Sequence, residues 1–335
     1  MSDIILKVDH NVTYIEGTLN RDVYSRLRTS LGYRSEDAQW MIKKSTNKPW
    51  MKDWDGIITT LCKSKRWCKC FVKKDGAHFS TGLLSKAKAV FDAKRVTYKI
   101  VDIRDKSEDK IQYDINKDEF EFRDYQLKVI DKAIDQERGL IKAATGSGKS
   151  AIAAGIIAGL GKAPFVFYVT SKDLLRQAHD ELERFILGNG LSLEVGMVGG
   201  GHKEIQDVTV MTVQTAVRAL GAKYKKYDEE DNEKDKTDVD DVKEDIKALI
   251  KNARGIIADE VQHWQCAVCQ IISDASESAQ YRYGLSATPY RDMGDDILID
   301  ACFGRCIADI SASFLIKEGY LIKPEIFFIP VKNMR

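Results

Sequence analysis

The chain of 335 residues has no long apolar run. Its most hydrophobic stretch, AIAAGIIAGLG from Ala151 to Gly161, falls short of the ~18 apolar residues of a membrane span and reads as a buried helix. A secretory pattern is also missing. In MSDIILKVDH, charges interrupt any apolar core, so export is not expected. The seven cysteines are odd in number and follow no disulfide framework, which points to a reduced, cytoplasmic compartment. Nor does one sign of charge dominate. The 52 Lys and Arg against 51 Asp and Glu leave a net charge of +1, which taken alone favours neither a nucleic acid nor a membrane surface. At 44% hydrophobic the chain is globular rather than disordered, and its length suits about two domains.

The near-neutral total is a cancellation. Met41 to Ile100 carries 15 Lys and Arg against 4 Asp and Glu, a net of +11. Tyr227 to Asp245 carries 11 acidic residues against 3 basic, a net of −8. The first part, about 1–105, alternates short apolar and polar runs (IILKV, TYIEG, GIITTL, WCKCFV, TYKIVDI) and predicts a small basic α+β domain. Within it SKAKAVFDAKR predicts a helix with Ala87, Val90 and Phe91 on one face. A charged stretch at about 106–120 reads as a linker. From about 121 onward, apolar strand runs such as PFVFYVT, VTVMTVQTA, GIIADE and YRYGLSATP alternate with amphipathic helices. That texture predicts an α/β fold, a parallel sheet with helices on both faces. An acidic surface insert is expected at about 222–247.

Three strings in this second part carry chemistry. In AATGSGKS, Thr145, Gly146, Ser147 and Gly148 form a turn between an apolar strand and a helix, ahead of Lys149 and Ser150. Glycines there let backbone N–H groups face a polyphosphate at a helix N-terminus. Lys149 supplies a charge to the β- and γ-phosphates of ATP, and Ser150 a hydroxyl to Mg²⁺. About 110 residues on, the buried strand GIIA ends in Asp259 and Glu260. Asp259 suits the hydrated Mg²⁺ and Glu260 the attacking water. The third string is Leu285-Ser286-Ala287-Thr288-Pro289.

In this order and spacing, AATGSGKS, ADEVQHW and LSATP resemble motifs I, II and III of the superfamily 2 helicases. The resemblance implies a P-loop, RecA-like motor domain over about 121–335. It makes Lys149, Asp259 and Glu260 catalytic and Thr145 to Ser150, Asp259 and Gln262 nucleotide-binding. Ser286 and Thr288 would couple hydrolysis to domain movement. Phe122-Arg123-Asp124-Tyr125-Gln126 is similar to the aromatic-Gln element of the family, which would place Arg123, Tyr125 and Gln126 at the adenine. Arg176 and Gln177, Gly200 in Gly199-Gly200-Gly201, and Thr212 and Gln214 match elements that touch the phosphate backbone of a bound strand, a role that does not read sequence. Trp54-Asp55-Gly56 and Thr81-Gly82-Leu83-Leu84 are similar to the N-terminal domain of UvsW-like and XPB-like helicases. The resemblance implies DNA as the partner, branched or duplex, in recombination, replication or repair. Lys63, Lys65, Arg66 and Lys69, interleaved with aromatics, suit such a DNA-binding domain, although the same aromatics also suit the core of a small β domain.

Two departures stand out. Gln262 occupies the place where relatives usually carry His, with His263 one residue later, so altered coupling rather than loss of ATP binding is expected. Only 46 residues follow Pro289 and none resembles motifs IV to VI. The expectation is therefore an N-terminal half that needs a second RecA-like domain, from the rest of a longer chain or from another one. SFLIKEGYLIKPEIFFIPV resembles the closing helix and strand of a first motor domain. Cys266 and Cys269 form a CxxC without a partner pair, and Cys62, Cys68, Cys70 and His78 are irregularly spaced, so free thiols are expected rather than zinc. Two alternatives remain open: the motor subunit of a restriction-type complex or an RNA helicase, and a non-catalytic DNA-binding module whose P-loop merely holds nucleotide.

Overall fold

The computed structural model describes residues 4–32, 71–72, 77–105, 122–161, 164–188, 192–222, 241–264, 266–290, 296–325 and 327. Lys63, Lys65, Arg66, Lys69, Trp40, Trp50, Trp54, Trp67, Cys62, Cys68, Cys70, the 106–120 stretch and most of the acidic run lie outside the described residues.

The N-terminal part is a five-stranded sheet. Its strands are β1 (Ile4–Val8), β2 (Val12–Glu16), β3 (Phe71–Val72), β4 (Ala77–Ser80) and β5 (Tyr98–Asp102), in the order β3-β4-β2-β1-β5. In β1 the period of two puts Ile4, Leu6 and Val8 inside and leaves Ile5 and Lys7 half-exposed. Helix α1 (Arg21–Ser30) starts where the Asn20 side chain accepts from the Val23 N–H at 2.8 Å. It buries Val23 and Leu27. A 3₁₀ turn (Thr81–Leu83) leads into α2 (Leu84–Ala93), which buries Ala87, Val90 and Phe91 as its pattern predicts. The crossover through α2 makes β5 pair parallel with β1, whereas the other pairs are antiparallel.

The second part is an eight-stranded sheet in the order β13-β6-β12-β11-β7-β10-β8-β9. In chain order, α3 (Asp124–Gln136) precedes β6 (Arg138–Ala143), then come α4 (Lys149–Leu160), β7 (Phe165–Val169), α5 (Lys172–Gly188), β8 (Val195–Gly199), β9 (His202–Lys203), β10 (Val208–Thr212) and α6 (Val213–Ala219). After the acidic run follow α7 (Lys243–Asn252), β11 (Gly255–Ala258), α8 (Cys266–Ala275), β12 (Tyr281–Ser286), α9 (Ile297–Phe303), β13 (Cys306–Ile310) and α10 (Ala312–Lys317). Every pair is parallel except the β8–β9 hairpin. β7, β8, β10, β11 and β12 are buried along their whole length, as strands covered on both faces must be. Residues of α3, α4 and α5 pack on one face, and those of α6, α7, α8 and α9 on the other. This is the doubly covered RecA-like α/β architecture that the strand and helix runs predict.

The two parts share a core. The cluster under α6 to α9 continues without a break into Leu6, Leu27, Phe79 and Phe91 of the N-terminal part. The junction is close-packed. A Cβ at Gly82 would lie 2.2 Å from the Asp300 carbonyl oxygen and 2.5 Å from that of Ala301. Lys86 pairs with Asp300 at 2.7 Å. Asn11, in the β1–β2 turn, donates to the Asp274 carbonyl at 3.2 Å and accepts from the buried Arg282 guanidinium. Arg138 donates to the His10 carbonyl at 2.6 Å. That one turn thus meets the N-terminal ends of both β6 and β12.

Arg104, just before the charged stretch, is tied to Asp102 and to Glu137 of the second part, at 2.6 Å each. Within the expected acidic insert, Lys243, Glu244 and Asp245 form the first turn of α7, where the carboxylates face the positive end of the helix dipole. Near the C-terminus the expected helix forms as α10, and most of the strand expected after it lies outside the described residues. Between them Tyr320 and Leu321 fold back onto the second core.

Candidate active site

At the C-terminal end of β6 the chain turns through Ala144 to Gly148 into α4. Gly146 and Gly148 have φ of +82° and +78°, a region closed to most side chains. A Cβ at Gly148 would sit 2.5 Å from Gln126 Nε2, and one at Gly146 would sit 2.8 Å from Leu321 Cδ2. No side chain caps α4, so its first N–H groups remain available to an anion. The helix is buried nearly all round, which anchors that N-terminus firmly in the domain.

Arg123, Tyr125 and Gln126 support this loop from behind. The Tyr125 hydroxyl and the Gln126 amide both donate to the Ser147 carbonyl, at 2.8 and 3.0 Å. Gln126 also accepts from the Arg123 N–H at 2.9 Å. Both side chains are buried. The Arg123 guanidinium donates to the Tyr125 hydroxyl at 2.9 Å and lies over the Tyr320 ring at 4.5 Å. Tyr125 meets the rings of Phe314 and Tyr320 edge-on. Tyr320 and Leu321 are contacts of the site that the sequence reading missed. Their only signal was an aromatic and a leucine shortly after the last helix, which many surface turns also carry.

β11 delivers Asp259 and Glu260 to the same place. Lys149 donates to Glu260 in a direct ion pair. Burial alone would raise the Glu260 carboxyl, but the Lys149 and Gln262 hydrogen bonds hold it below its ordinary range. Glu260 sits at φ +45°, a strained conformation for a residue with a side chain. Asp259 Oδ1 is buried without a hydrogen-bond partner. Burial pushes its carboxyl up to about 6, against the opposing pull of Lys149. An orphaned buried carboxylate oxygen is the kind of donor a hard divalent cation accepts, so Asp259 fits Mg²⁺.

Gln262 joins this pair to motif III. It donates to Glu260 Oε2 at 2.6 Å and accepts from the Ser286 hydroxyl. Ser286 Oγ in turn accepts from the Thr288 N–H at 2.9 Å. His263 is exposed on the neighbouring 3₁₀ turn. The bridging role therefore falls on Gln262, with an amide that both donates and accepts.

The strand-contact candidates gather at the sheet edge formed by the ends of β7, β10 and β8. Gly199, Gly200 and Gly201 all have positive φ. A Cβ at Gly199 would lie 3.3 Å from Thr212 Oγ1. Gly200, Arg176 and Gln177 are exposed there, with Gln177 hydrogen-bonded to Glu181 at 3.0 Å. Thr212 is buried. It caps α6, accepting from the Thr215 N–H at 3.2 Å. Gln214 donates to the Thr170 carbonyl at 2.8 Å, tying β10 to β7. Both side chains also make hydrogen bonds within the edge itself.

The family model "Type III restriction enzyme, res subunit" matches residues 119–291, which include motifs I, II and III. The chain belongs to this family. It carries the motif set of superfamily 2 helicases, and its curated relatives are of that kind. The "DNA 3'-5' translocase XPB2" of Sulfurisphaera tokodaii is 25% identical over 230 residues, 67% of this chain and 44% of the relative. "Putative helicase 22" of Sulfolobus islandicus filamentous virus is 30% identical over 232 residues, 65% of this chain and 37% of the relative. This ResIII-family chain thus spans less than half the length of these curated relatives. The solved UvsW helicase of bacteriophage T4 shares the fold, with a TM-score of 0.63 at 16% identity over 91% of this chain and 99% of that one. The overlap at that coverage takes in the N-terminal sheet as well as the motor domain. No helix among the described residues is long and apolar enough to cross a membrane, and no group of His, Cys, Asp or Glu among them could hold a metal ion on its own. Cys269 lies buried on α8 and is in no disulfide.

Proposed function

We propose that this chain supplies the ATP site of a DNA translocase that remodels branched or duplex DNA in recombination, replication or repair. The observation that carries the reading is the connected set Lys149–Glu260–Gln262–Ser286. It links the phosphate-binding loop, the carboxylate for the attacking water and the C-terminal end of β12. The translocase named among the relatives and the DNA-contact elements at the adjoining sheet edge support DNA as the partner.

In this reading the N–H groups at the start of α4 and the Lys149 ammonium bind the β- and γ-phosphates. Ser150 and Asp259 would hold Mg²⁺, which when bound would neutralise charge on those phosphates. As nucleotide draws Lys149 to the phosphates, the Glu260 carboxylate is released to accept a proton from water. Gln262 keeps contact with Glu260 and passes its position to Ser286. Arg123 is already held by Tyr125 and Tyr320, so an arginine for the transferring phosphate comes from a second RecA-like domain. Such an arginine is worth about 10³–10⁵ in rate.

The test is nucleotide binding and DNA-stimulated hydrolysis by the 335-residue chain, measured alone and within a two-domain assembly. ATP should bind and be turned over poorly by the chain alone. Lys149→Ala should abolish binding. Glu260→Gln should keep binding and lower turnover in the assembly by about 10²–10⁴. No binding of ATP would sink the reading. Vigorous DNA-stimulated turnover by the chain alone would remove the second domain from it.

A further inference from the structure

At the end of β6 opposite the P-loop, the two parts of the chain enclose a cavity of about 460 Å³. Its wall carries Lys88, Arg104, Arg138 and Arg305, with Asp92 and Glu137 as the only carboxylates on the wall. The anions are already engaged. Glu137 and Asp102 hold Arg104 at 2.6 Å each, and Asp92 accepts from the Tyr98 hydroxyl at 3.1 Å. Arg138, Arg305 and Lys88 have no carboxylate partner among the described residues. Arg138 spends one Nη on the His10 carbonyl, and its Nε is buried with no hydrogen-bond partner.

The setting is built rather than incidental. Gly304, at φ +97°, brings its backbone against the Arg138 stem, where a Cβ would lie 3.4 Å from Arg138 Cγ. Gly82 closes the junction on the other side. Burial, then the charges of Arg282 and Arg104, push the Arg138 guanidinium down to about 9. Glu137 opposes that push, but its carboxylate is already paired with Arg104.

We propose that this cavity is an anion site for a phosphate group, ligated by Arg138, Arg305 and Lys88 and separate from the P-loop. An anion there meets three cations that have no carboxylate partner among the described residues, and a planar guanidinium fork suits phosphate oxygens. The phosphate belongs either to a nucleic-acid backbone reaching the junction or to a free phosphate ion. The site stands whether or not the motor reading holds, since none of its residues belongs to the nucleotide site.

The experiment uses the full chain carrying Lys149→Ala, which removes the P-loop's own phosphate ligand. Inorganic phosphate is titrated calorimetrically at constant ionic strength, and duplex DNA affinity is measured across a potassium chloride series. Both are repeated with Lys88→Ala/Arg305→Ala, two surface changes that spare the core. Lys128→Ala/Lys132→Ala, on the exposed side of α3, matches the charge change away from the cavity. A weakening of phosphate binding by about tenfold or more in the first pair but not the second supports the site. A slope of log affinity against log salt shallower by about 1–2 in the first pair only also supports it, and assigns a DNA backbone phosphate. If only phosphate binding responds, the ligand is the free ion. If neither quantity distinguishes the first pair from the second, the proposal is overturned.

Discussion

At the residue scale, the nucleotide site is organised around charges that burial would otherwise punish. Glu260 is kept ionised by Lys149 and Gln262, whereas Asp259 lacks such a partner and is pushed up to about 6. The consequence for stability has a definite sign. The Asp259 carboxyl binds its proton more tightly in the folded than in the unfolded chain, where its ordinary value is 3.8. Stability from that proton is complete below about 3.8 and is lost as pH rises through about 6. In metal-free buffer at neutral pH, Asp259→Asn should therefore be more stable than the parent by about 1–3 kcal/mol. The gap should close between pH 6 and pH 4, as read by thermal denaturation across that range. A gap that persists unchanged into acid would mean that the carboxyl is not perturbed by burial. Gln262 makes a second point at this scale. A departure from the usual residue preserves a two-ended hydrogen bond because the amide can replace both functions of an imidazole.

At the element scale, the strand ends matter more than the strands. β6, β11 and β12 lie side by side, so their C-terminal ends present Lys149, Glu260 and Ser286 to one another although they are far apart in sequence. β7, β10 and β8 form the adjoining half of the same edge, with the 199–201 turn beside the cap of α6. Thr212 holds that edge through its cap. Thr212→Ala should cost about 1 kcal/mol by denaturant unfolding. Thr212→Ser, which keeps the capping oxygen, should recover most of it. If both variants lose the same stability, the cap is not what Thr212 contributes.

At the scale of the whole molecule, the N-terminal sheet is not a tethered appendage. It completes the core on one face of the motor sheet, and its β1–β2 turn takes hydrogen bonds from Arg138 and Arg282 at the roots of β6 and β12. Gly82 is the tightest point of that junction, because the atoms opposite are backbone carbonyls that cannot swing aside. Gly82→Ala should destabilise the chain by about 1–3 kcal/mol. It should also speed limited proteolysis between the two parts. A variant as stable and as protease-resistant as the parent would show that the junction is looser than its packing implies.

The residues by themselves determined the motor fold and the motifs on it. Buried strands need continuous apolar runs, and a phosphate-binding turn needs glycines at set positions before Lys and Ser. Both leave local marks in the chain, as do the alternation in β1 and the apolar face of α2. Only the tertiary structure decided which polar side chains face outward. The burial of Thr212 and the hydrogen bond from Gln214 to the Thr170 carbonyl depend on neighbours distant in sequence. Tyr320 and Leu321 reached the P-loop by folding back, which no local pattern encodes. The shared core and the cationic cavity at Arg138 arise from the docking of two separate sheets. Docking is set by shape and by the sum of many weak contacts, and neither has a sequence period to betray it.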